Sequence, residues 1–96
     1  MNRKSENKII KNKILKLENK LNILFIKEKE ASQYIAQMVH RIKLIVRING
    51  HNNMTKDLIV FHKTLNKIKI NLLKLQDKII ILEEKKLKLE DVFHSN

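Results

Sequence analysis

The chain is 96 residues long, carries 21 Lys/Arg against 10 Asp/Glu for a formal net charge of +11, and contains one glycine, no proline and no cysteine. One small domain fits that length, and the lack of turn-forming residues excludes a fold of many short strands. Without cysteine there is no disulfide framework, thiolate metal site or cysteine nucleophile, and so strong a positive balance favours an acidic partner: nucleic acid, an anionic membrane or an acidic protein surface.

Residues 1–7 are polar and expected to fray. Lys8 is followed by Ile9-Ile10 and then Lys11, so the amino end offers no apolar h-region for a secretory signal. Uncharged runs such as 31–39 are far shorter than the roughly 20 residues that span a bilayer. A soluble, cytoplasmic protein without membrane insertion is expected.

From about residue 8 to 48 the spacing alternates four and three through Ile10, Ile14, Leu17, Leu21, Leu24, Glu28, Ala31, Ile35, Met38, Ile42 and Ile45. An average spacing of 3.5 keeps one apolar seam on one side of a slightly underwound helix, which is what a supercoiled partner requires. At 1.5 Å per residue such a helix is about 60 Å long. Residues 49–55 interrupt it, with Gly50 as the left-handed residue closing the first helix and Thr55 as an N-cap for the second. Asp57 then sits favourably in the first turn.

The second helix is expected from about 56 to 92, with a seam through Leu58, Phe61, Leu65, Ile68, Leu72, Leu75, Ile79, Leu82, Lys86, Leu89 and Phe93. Arms of matched length joined by a short loop fold back on each other, so the chain reads as all-α, a single antiparallel coiled-coil hairpin. With the turn centred near His51, Ile45 lies near Leu58, Ile35 near Ile68, Leu24 near Ile79 and Leu17 near Lys86. Two seam positions are charged, Glu28 and Lys86, and they do not face each other in this register. Either each snorkels out of the seam, or the two set register at some cost in stability.

Apolar residues also lie off the seam, among them Ile9, Ile23, Ile26, Leu44, Val46, Ile48, Ile59, Val60, Ile70, Leu73, Ile80, Ile81 and Leu87. Some of them can widen the hairpin's own interface; the remainder suggest a second contact surface for a helix or protein partner. Catalytic chemistry is hard to build here. His40, His51, His62 and His94 have no i,i+4 pairing with one another, and no HExxH, phosphate loop or nucleophile elbow occurs. No catalytic residue, metal or cofactor is expected, and the chain reads as a non-enzyme. Glu83, Glu84, Glu90 and Asp91 near Lys85, Lys86 and Lys88 read as surface ion pairs. Scarce aromatics, three arginines and no DNA-binding layout speak against nucleic acid. A basic hairpin that self-associates and binds nucleic acid through its lysines is retained as an alternative, and a small secretion chaperone using the extra apolar surface as another.

Three blocks carry a resemblance. They are Glu30-Ala31 with Ile35-Ala36 and Ile42-Lys43-Leu44-Ile45; Met54-Thr55-Lys56-Asp57-Leu58-Ile59 with His62-Lys63; and the run 75–85 from Leu75 to Lys85. In order and spacing this stretch resembles the central stalk family of type III secretion and flagellar export, the FliJ-, YscO- and InvI-like proteins, and the InvI-like branch above all. The chain departs from that pattern in being short and richer in lysine than in glutamate and arginine. The resemblance implies a virulence-associated stalk at the base of a bacterial secretion apparatus. It would link a hexameric export ATPase to the cytoplasmic ring of the export gate, support ATP hydrolysis and protein transport, and contact secretion chaperones. The turn end, with Ile48, Asn49, Gly50, His51, Met54, Thr55 and Ile59, is then expected to meet the gate. Basic residues of the paired arms, Lys13, Lys16, Lys20, Lys85 and Lys86, are expected to meet the ATPase.

Overall fold

A seven-residue apolar repeat gives each helix one stripe to bury, and the computed structural model of the chain has two helices, α1 at Arg3–Asn49 and α2 at Lys56–Ser95. The structure describes residues 3–49 and 56–95, with the backbone alone at Arg3, Asn49 and Asp57. No strand occurs among the described residues. The chain is an all-α hairpin of two long helices. Every residue of both expected seams is buried or half-buried, Glu28 and Lys86 included.

Two compact units make up the chain, one pairing 1–27 with 75–96 and the other formed by 28–74. In the first unit Leu21, Leu24 and Ile79 are buried together, with Leu75 and Leu82 packed against them. Farther along, Lys86 of α2 reaches back to Glu18 of α1. Moving down α1 from Leu24 to Glu18 thus means moving up α2 from Ile79 to Lys86, which is the antiparallel order that the heptads require.

In the second unit Met38, Ile42, Leu58 and Leu65 form the buried cluster, and Ile35, Val39, Ile45, Val46 and Phe61 pack on it. Ile45 and Leu58 share this cluster as the register demands. Val39 and Val46 each follow a seam residue directly, so they broaden the stripe from two positions per heptad to three.

Both helices run past their expected ends. α1 begins at Arg3 rather than near residue 8, because Glu6 in its first turn suits the positive end of the helix dipole and the half-buried Asn7 extends the seam one step before Ile10. α2 continues to Ser95 rather than to about 92. Phe93 is half-buried as a seam residue, its ring meeting that of His94 edge-on at 5.6 Å. The Ser95 hydroxyl donates to the Asp91 carbonyl at 2.7 Å, satisfying an acceptor of the last turn. The expected capping roles of Gly50 and Thr55 lie outside the described residues.

Candidate functional site

The positions that flank a heptad seam decide what a coiled coil shows to water, and in the first unit they are sorted by charge. On one side α1 places Lys13, Lys16 and Lys20 and α2 places Lys78, Lys85 and Lys88, all six exposed. Among the described residues none of the six is in an ion pair. Between them runs an apolar floor. Lys13, Lys16, Lys85 and Lys88 surround Leu17 and Leu89 in a groove of about 470 Å³. Beside it, Lys20, Ile23 and Lys78 surround Leu24 and Leu82 in a second groove of about 300 Å³.

The other side of the same unit differs in sign. Leu21, Phe25, Glu83, Lys86, Leu87 and Glu90 line a depression of about 390 Å³ there. Lys86 Nζ lies 3.4 Å from Glu18 Oε1 across the helices and 3.5 Å from Glu90 Oε1 one turn along α2. Partial desolvation at the seam pulls the lysine's pKa down; the Glu18 hydrogen bond and charge, together with Glu90, outweigh it and hold the pKa above the ordinary 10.5. Lys86 therefore snorkels from the seam to satisfy two carboxylates. It is not brought together with Lys13, Lys16 and Lys85, the other basic residues expected to meet a partner; Lys20 lies one heptad along from Lys13, in the second groove.

In the second unit Ile48 is 80% exposed and Ile59 45% exposed. Near Ile48 in the sequence, Ile42, Lys43, Val46 and Arg47 line a shallow depression of about 280 Å³. The remaining residues assigned to the turn end, Gly50, His51, Met54 and Thr55, lie outside the described residues, and Asn49 is described only as the last residue of α1. Of the apolar residues off the seam, Val39 and Val46 pack on the second unit's cluster, and the other twelve expected to form a second contact surface or widen the interface are exposed. The surplus apolar surface is thus almost wholly external.

Among the described residues no group of His, Asp or Glu is placed to hold a metal ion, and no helix is long and apolar enough to cross a membrane. No family model matches the chain, and no curated protein or solved structure matches it either. Sequence reasoning passed over Lys78 and Lys88 as members of the basic face. Their heptad positions beside the seam are the signal that identifies them.

Proposed function

We propose that the chain is a non-enzymatic central stalk of a bacterial type III secretion system, linking a hexameric export ATPase to the export gate at the base of the apparatus. The single observation that carries this reading is a pair of long helices, each with a heptad seam that is apolar apart from Glu28 and Lys86, taken with the three blocks that resemble the stalk family. Six unpaired lysines on the first unit support contact with acidic loops of an ATPase ring, and the exposed Ile48 and Ile59 support a contact at the turn end. Secretion chaperones are further partners on this reading.

The unpaired lysines equally favour a second reading, a basic hairpin that binds nucleic acid. One charge-reversed protein separates the two. With Lys13, Lys16, Lys20 and Lys85 changed to glutamate, a stalk loses co-purification with the export ATPase and its stimulation of ATP hydrolysis, and the wild-type interaction weakens as salt screens exposed charge over about 8 Å. A nucleic-acid binder leaves hydrolysis untouched and shows a shallower salt dependence of its affinity for RNA or DNA, because fewer phosphate contacts release fewer counterions. Wild-type chain that neither co-purifies with the ATPase nor stimulates it would reject the stalk.

A further inference from the structure

The two basic grooves of the first unit repeat the same leucine floor with one lysine from each helix, while Ile23 stands where the first groove has Lys16 and no lining residue answers to Lys88. Adding seven to Lys13, Lys16 and Leu17 gives Lys20, Ile23 and Leu24; subtracting seven from Lys85 and Leu89 gives Lys78 and Leu82. Seven residues are two helical turns, about 10.5 Å of rise. A ligand lying along this face therefore meets an apolar floor and a lysine rim, and meets them again at the interval at which a coiled-coil helix presents its own seam.

From this repeat we infer that the face docks a third helix: an acidic amphipathic segment of a partner protein, with apolar residues in heptad spacing and carboxylates beside them. Apolar side chains of the segment rest on Leu17 and Leu89, then on Leu24 and Leu82, and its carboxylates meet Lys13, Lys16 and Lys85. Charge complementarity selects the occupant, since neither groove has an acidic lining residue. A second copy of the chain is a poor fit: each copy carries +11, and on its acidic side Lys86 already engages Glu18 and Glu90. Nucleic acid would use the lysines and leave the leucine floor and Ile23, which is 55% exposed, in water. An anionic bilayer is met by protruding apolar groups rather than by a concave groove. The inference does not depend on the stalk assignment, because it concerns binding of a helix and not ATP hydrolysis.

Two synthetic three-heptad peptides of identical composition test it by fluorescence anisotropy against the full chain. One has leucines in heptad spacing flanked by glutamates; the other has the same residues shuffled to remove the period. The patterned peptide is expected to bind at least tenfold more tightly. Lys16→Glu with Lys85→Glu should weaken that binding at least tenfold, whereas Lys63→Glu with Lys67→Glu, an equal change of net charge in the other unit, should change it less than twofold. Circular dichroism monitors folding, and Lys13→Gln with Lys88→Gln serves as a milder second variant with the same expected direction. Equal binding of the shuffled peptide, or equal weakening by both glutamate pairs, would reduce the face to non-specific charge and overturn the inference. So would a patterned peptide that fails to bind while a single-stranded oligonucleotide or phosphatidylserine vesicles bind and are lost with Lys16→Glu and Lys85→Glu.

Discussion

Lys86 and Glu18 join the two helices of the first unit through a 3.4 Å ion pair that starts from an apolar-seam position. A lysine in a seam gives up packing, and here the loss is offset by a fixed pairing between α1 and α2. Because Glu18 is next to Leu17, the pair sits at the register that the seams require.

The pair makes stability depend on pH in a known direction. Lys86 has its pKa raised above 10.5 in the folded chain, so its contribution is fully present below 10.5 and is lost as pH rises through the folded value. Thermal melts of wild type and Lys86→Met should differ by a constant amount from pH 7 to about 10, and the difference should shift toward higher stability of the variant beyond that. A difference that stays flat through the alkaline range would show that the pair does not contribute.

Core truncations should separate sharply from surface ones. Ile79 and Leu65 are 5% exposed, one in each unit, and changing either to alanine should cost about 2–5 kcal/mol in urea denaturation. Leu87→Ala, at a residue 59% exposed, should stay within about 0.5 kcal/mol. Equal losses at the three sites would mean that Leu87 is covered in solution, for instance by self-association.

A covalent test of the fold lies in the second unit, where Phe61 packs on the cluster that contains Ile42. Cysteines at these two positions should oxidise within one chain, since a disulfide needs Cα atoms no more than about 7 Å apart. Non-reducing gels should show a fast-migrating monomer. Crosslinked dimers alone would point to exchange of helices between chains.

The exposed isoleucines near the turn should matter to a partner and not to the fold. Ile48→Asp with Ile59→Asp should leave helicity by circular dichroism nearly unchanged, because both residues are exposed and neither belongs to a buried cluster. If the proposed stalk role holds, the same protein should lose binding to the export gate's cytoplasmic ring. Loss of helicity instead would make the two residues a staple for the turn.

Residue order alone carries the helical hairpin and the choice of inward-facing residues. Period 3.5 is a property of residue order, and a helix converts it to a stripe without further information; the seams through Leu21 and Leu24, and through Ile79 and Leu82, were legible for that reason. Helix ends were less legible, as at Arg3 and Ser95, because they turn on single interactions such as the Ser95–Asp91 hydrogen bond. How the charges are shared out depends instead on the packing of α1 against α2. Lys85 and Lys86 are neighbours in sequence, yet the 100° between successive helical residues sends one to the basic groove and the other to Glu18 on the opposite side. The grooves themselves exist only where residues of α1 and α2 meet across the seam, so the seven-residue repeat of Lys13 with Lys85 and Lys20 with Lys78 is set by the packing register of the two helices.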